Sequence, residues 1–140
     1  ASNTTIAQAL WDNKGGGIAY FGSTTANAVD KEGVTRVMSF SRAVSRPIYI
    51  DINVTQDPAG PVVSAAAVKA ALKAKAAGYK LGDDVVALAL RSAAFSVPGV
   101  YDVPLFELGF SASPSGTANL VIGSREIAIV DDPTIVVNVL

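Results

Sequence analysis

The 140 residues predict an α+β fold: antiparallel sheet segments with an N-terminal helix and two central helices. Three features of the pattern predict it. Apolar residues follow helical spacing near the start, change to a period of two from about residue 18 to residue 55, and return to helical spacing up to about residue 97. The last third alternates again, so strands and helices come in separate blocks, which favours α+β over a parallel doubly wound sheet. At this length residues 1–140 read as one structural unit, with Gln56 to Pro61 as a candidate hinge between lobes 1–57 and 58–140.

Asn3-Thr4-Thr5 reads as the cap of a helix whose apolar stripe is Ile6, Ala9 and Leu10, closed by Gly15-Gly16-Gly17. The three glycines follow the helix and no Gly-Lys-Ser/Thr comes after them, so they serve as a flexible helix end and not a phosphate loop. Thr25 to Val29 and Val34 to Phe40, joined by Asp30-Lys31-Glu32-Gly33, make a hairpin. Ile48, Ile50, Ile52 and Val54 alternate with Tyr49, Asp51, Asn53 and Thr55, the clearest strand in the chain. One antiparallel sheet with a wet side is expected from it. Its polar face is expected to pair Asp51 and Asn53 with Arg36 or Arg46 of a neighbouring strand.

Pro61 suits the first turn of a helix running to about Ala77. On it Val68, Leu72 and Tyr79 share one side, and Lys69, Lys73 and Lys80 share another. The lysine stripe has two readings, a contact for an acidic partner or a solvated helix face. Asp83 or Asp84 is expected to cap the next helix, in which Val86, Leu90, Ala93 and Val97 keep helical spacing until Pro98-Gly99. Only Arg91 is charged between Val85 and Val97, so this helix is expected to be largely buried. Strands are then expected at Val100–Phe110, Thr117–Gly123, Glu126–Val130 and Ile135–Leu140.

Composition excludes several chemistries. With no His and no Cys there is no Ser-His-Asp or Cys-His pair, no zinc site of the usual kind and no disulfide. The 11 basic and 12 acidic residues give a formal charge of −1, without the basic excess that a nucleic-acid binder needs. No apolar run approaches the ~18 residues of a membrane span. Charged residues make up 16% against a usual ~25%, a bland surface that suits subunit contacts or a surface made polar by Ser, Thr, Asn and Gly. The chain opens at Ala1 and enters polar residues without a signal-peptide core, as expected of a processed or excised C-terminal piece of something longer.

The remaining candidates for chemistry are carboxylates. Asp83-Asp84 and Asp131-Asp132 are adjacent pairs at positions where caps and turns need acceptors, so structural roles are expected. Ser111-Ala112-Ser113 lacks both the elbow motif and a base. Asn3-Thr4-Thr5 and Asn53-Val54-Thr55 fit the glycosylation pattern without a supporting context. No catalytic, metal-binding or cofactor-binding residue is expected. Trp11, Tyr20, Phe21, Tyr101 and Phe106 are large anchors, most of them expected in the core. Trp11, opposite its helix's apolar stripe or on its border, is the one placed for an interface, and Trp11, Arg36, Lys69 and Lys73 form the candidate contact set.

The order of these signals carries a resemblance. Ile6-Ala7-Gln8-Ala9-Leu10-Trp11, Gly16-Gly17-Ile18-Ala19 with Gly22, Val34-Thr35-Arg36-Val37-Met38-Ser39-Phe40-Ser41-Arg42 and Pro47-Ile48-Tyr49-Ile50 come first. Leu81-Gly82-Asp83-Asp84-Val85, Val97-Pro98-Gly99-Val100-Tyr101-Asp102-Val103, Ile127-Ala128-Ile129 and Ile135-Val136-Val137 follow. In this order they resemble the C-terminal part of the baseplate J-like family of contractile-tailed phages and related injection machines, over nearly the whole chain. Ala43 departs from the family, which commonly turns there with Pro.

The resemblance implies a non-enzymatic virion protein without cofactors, located in the tail baseplate and assembled in the bacterial host cytoplasm. It implies a homodimer that pairs with a second baseplate wedge protein. The resulting wedges link into a ring around hub and spike, in contact with sheath-proximal baseplate proteins, and the ring's rearrangement licenses sheath contraction. No nucleic acid and no membrane insertion are implied, and family members are usually longer. Two rivals stand beside it. A surface-binding module, an adhesin or glycan-binding domain, needs an aromatic platform that the Ser111 to Gly116 loop lacks. A carboxylate-based hydrolase needs two converging acids.

Overall fold

A computed structural model describes Ala1–Leu140 as two compact units, Ala1–Arg42 and Ala43–Leu140. Three helices and seven strands make it an α+β fold.

In the first unit, helix α1 spans Asn3–Asp12. Ser2, not Asn3, is the cap, its Oγ accepting from the Thr5 N–H at 3.1 Å. The helix closes before the glycines, where the Asn13 side chain donates to the Ala9 carbonyl at 2.8 Å. Ala7 is its fully buried residue and Ala9 faces solvent, so the stripe is turned from the expected one. The small Ala7 lets the helix approach strands β1 (Thr24–Val29) and β2 (Thr35–Phe40), where Ala28, Met38 and Phe40 complete a small core.

The two strands form the expected antiparallel hairpin, Thr24 opposite Phe40 and Val29 opposite Thr35. Asp30 holds the turn: its Oδ1 accepts from the Glu32 and Val34 amides, with Gly33 at φ +80°. Gln8 then bonds both backbone groups of Val29 and so covers one outer edge of β1. Gly22 permits the closest approach in the unit: a Cβ there would lie 2.0 Å from the Phe40 carbonyl carbon.

The second unit is built around β4 (Tyr49–Gln56), the middle strand of the order β5-β4-β7, with β5 at Val100–Gly109 and β7 at Ile135–Val139. Ile48, Ile50, Ile52 and Val54 are all buried, as their alternation requires. At about 1.5–3 kcal/mol per fully buried aliphatic side chain, this row is a main source of the unit's stability. It also explains why the units part at Arg42 and not at Gln56–Pro61: β4 cannot leave the sheet whose centre it forms.

The expected single antiparallel sheet is corrected to three sheets with two parallel pairings. β4 runs antiparallel to β5 and parallel to β7, and β3 (Val44–Pro47) runs parallel to β6 (Glu126–Ile129). Period-two burial looks the same for either strand direction, so the alternation alone does not reveal it. Thr117–Gly123 is not a strand; it contributes one bridge, Leu120 to Val85.

Helix α2 (Ala65–Ala76) begins four residues after Pro61. Ser64 caps it by accepting from the Ala67 N–H at 3.1 Å, while the Val63 N–H donates to the Gln56 side chain at 3.1 Å. Val68, Leu72 and Ala76 form its buried face. Helix α3 (Ala87–Phe95) has neither Asp83 nor Asp84 as its cap. Asp83 accepts from the Lys80 N–H, Asp84 from the Ile122 N–H, and Asn119 accepts from the Ala87 N–H. Nor is α3 largely buried: Leu90 and Ala94 face the core, while Leu88 is 70% and Phe95 52% exposed.

Candidate functional site

Each unit carries two of the four residues expected to make contacts. In the first, Trp11 comes from the last turn of α1 and Arg36 from the start of β2. The Arg36 guanidinium carbon lies 6.0 Å from the Trp11 ring centroid and the Lys14 ammonium 5.1 Å from it, both within cation–π reach. Arg36 Nε also donates to Asp30 Oδ2 at 2.9 Å.

The Val34 amide, together with Arg36 and the Glu32 amide, holds the Asp30 carboxyl below its ordinary value, outweighing the desolvation that raises it. Trp11, Arg36 and the Gly15–Gly17 loop border an open groove of about 680 Å³. Its wall holds Asp12, Asp30 and Glu32 against Lys14, Lys31 and Arg36, so the charges cancel and favour no ion of either sign. An acid kept ionised is a poor proton donor, and what the arrangement offers is a half-buried indole surface for stacking.

In the second unit the lysine stripe of α2 is turned inward on its own chain. Lys73 Nζ donates to Asp132 Oδ2 at 2.8 Å and Lys69 Nζ to the Asp132 carbonyl at 3.1 Å. The Lys73 ammonium holds the Asp132 carboxyl below its ordinary value. The pair ties α2 to the 3-10 turn Asp132–Thr134 that leads into β7, and Lys80 takes no part.

Asp51 and Asn53 do not pair with Arg46, and Arg36 is held by Asp30 of its own unit. Asn138 of β7 donates to Asn53 Oδ1 at 2.9 Å and to Asp51 Oδ1 at 3.4 Å. Arg46 instead lies 4.3 Å from the Phe110 ring centroid and 3.9 Å from Glu126. The Glu126 contact follows from the β3–β6 pairing, which the sequence pattern did not reveal. Asp83 and Asp84 bond to separate stretches of backbone, so they do not converge. No group of three or more carboxylates lies together in a way that could hold a metal ion. No helix is long and apolar enough to cross a membrane.

The chain matches no protein-family model and no curated protein. Its own surface is therefore the guide to function, and that surface is apolar in places the sequence reading assigned to the core. Of the aromatic anchors, Phe106 is buried and Tyr20 packs beside the small core, but Phe21 is 88% and Tyr101 67% exposed. Leu88 and Phe95, seven residues apart on α3, mark one outward helix face with Arg91 between them. The signal for that face was in the sequence: a helix with one charge and apolar residues all round has more apolar surface than one core contact can cover.

Proposed function

We propose that this chain is a structural part of a phage or phage-like contractile tail baseplate, the C-terminal region of a wedge protein that dimerises and joins a ring around the hub. The observation that carries this reading is the set of large apolar side chains left in solvent on both units: Phe21 and Val37 in the first, Leu88, Phe95 and Tyr101 in the second. A chain with 16% charged residues and such side chains outside suits a subunit whose surfaces are covered by neighbours. The ordered resemblance to baseplate J-like proteins supplies the kind of neighbour: a second copy, a second wedge protein, and hub and sheath-proximal components. In this reading the protein works by surface complementarity, with contacts that switch when the sheath contracts.

Co-expression of the full-length chain with the wedge protein encoded beside it tests the proposal. A complex of two copies with one partner is expected by light scattering. Persistent separation of the two proteins on a sizing column, or a genomic neighbourhood without sheath and spike genes, would overturn it.

A further inference from the structure

Trp11 borders two grooves in the first unit, and they differ in charge. The wider one, already described, sets Asp12, Asp30 and Glu32 against its cations. The second, of about 330 Å³, lies between the end of α1, Ala19-Tyr20 and residues 36–39 of β2. No carboxylate lines it, while Lys14 and Arg36 border both grooves.

The two cations are placed differently. Lys14 Nζ, 5.1 Å from the indole centroid, forms no ion pair with any carboxylate of the chain. Arg36 gives its Nε to Asp30 and keeps its two terminal amino groups for another acceptor. Asp30 thus balances Arg36, and the net charge offered to the groove is the single positive charge of Lys14. That balance suits a monoanion, a carboxylate, better than a phosphate dianion. Cation–π contact holds both groups beside the ring, so an acceptor meets them with little further ordering.

The rest of the wall describes the body that carries the carboxylate. Trp11, Val37 and Met38, the last only 4% exposed, give an apolar floor, and Tyr20 and Ser39 are its hydroxyl-bearing side chains. A ring with C–H surface and hydroxyls of its own uses both kinds of wall. An aromatic acid uses them less well, because stacking on the indole would displace the cations that already lie over it.

We propose that this groove binds a uronic acid, with its carboxylate on Lys14 and the terminal amino groups of Arg36, its ring against the apolar floor, and its hydroxyls bonded by Tyr20 and Ser39. The inference stands independently of the baseplate reading.

The test uses the 140-residue chain, whose one Trp gives a single indole N–H signal in NMR, with methyl β-D-glucuronide as the probe. Titration should move the signals of Trp11, Tyr20 and Ser39 together and saturate with a Kd of about 1 mM. Methyl β-D-glucoside, benzoate and inorganic phosphate should each bind at least about tenfold more weakly. Lys14→Gln should keep the melting temperature and weaken the glucuronide about tenfold, and Tyr20→Phe should weaken it about threefold. Lys31→Gln, which alters the wider groove alone, should leave the affinity unchanged. Four results would overturn the proposal: no shift at about 10 mM glucuronide, equal binding of the glucoside, benzoate or phosphate, parental affinity in Lys14→Gln, or an equal loss in Lys14→Gln and Lys31→Gln.

Discussion

Asp30 joins the two strands of the hairpin through its side chain, and its ionisation therefore carries a pH signature. The folded pKa lies below the ordinary 3.8. Such a group contributes its full stability above the unfolded value and loses it as pH falls through the lower folded one. Asp30→Ala should therefore melt lower than the parent near neutrality, and the gap should narrow in melting scans carried below about pH 4. A gap that stays constant to about pH 2 would remove the carboxylate from this account. Gly22→Ala should cost about 1–3 kcal/mol or more in denaturant unfolding, because backbone, not a flexible side chain, must move aside. Gly16→Ala, with nothing within 4 Å of the added methyl, is the control and should be nearly silent. At this scale the sequence was legible where a residue acts on near neighbours. The role of Asp30 in the turn follows from its place before Gly33. The pairing of Asn138 with Asn53, 85 positions away, depends on a strand direction that no local pattern records.

Among the elements, α3 separates burial from hydrophobicity. Leu90 and Leu88 are the same residue type on one helix, the first fully buried and the second mostly in solvent. Leu90→Ala should cost about 2–5 kcal/mol and Leu88→Ala within about 0.5 kcal/mol in urea unfolding. Equal losses would mean that α3 packs differently. The hairpin and β4 were readable because turn residues and strict alternation mark them. The strand Val44–Pro47 was not, being short, mostly exposed and ending in a proline that sits on an outer edge. The caps were misplaced for a related reason. Ser, Asp and Asn all qualify chemically, and only the tertiary path decides that Ser2, Ser64 and Asn119 are the ones used.

For the whole molecule the balance of charge decides how contacts should respond to salt. With 11 basic and 12 acidic residues, complexes of this chain should rest on apolar area. The dissociation constant of its complex with a protein partner should then change less than about tenfold between roughly 50 and 200 mM salt, far from the ~10³–10⁵ of nucleic-acid binders. A steep salt dependence in isothermal titration would point to a charged partner instead. The α+β class was legible at this scale because strand and helix blocks are segregated along the chain. Its candidate contact residues were legible only in part. Trp11 and Arg36 do meet beside a groove, whereas Lys69 and Lys73 bind their own chain, since side chains see their real neighbours only after the backbone has closed.

The central position of β4 between an antiparallel and a parallel neighbour also governs how the second unit comes into being. Its antiparallel mate β5 is made before its parallel mate β7, which follows after α2, α3, β5 and β6. During synthesis on the ribosome, Ile50 and Ile52 therefore wait on a two-stranded ribbon with one flank bare until residues 135–139 emerge. Closure across so long a stretch of chain is slow compared with local folding. The vulnerable interval of this protein is thus its own translation, when holding chaperones have the most to protect.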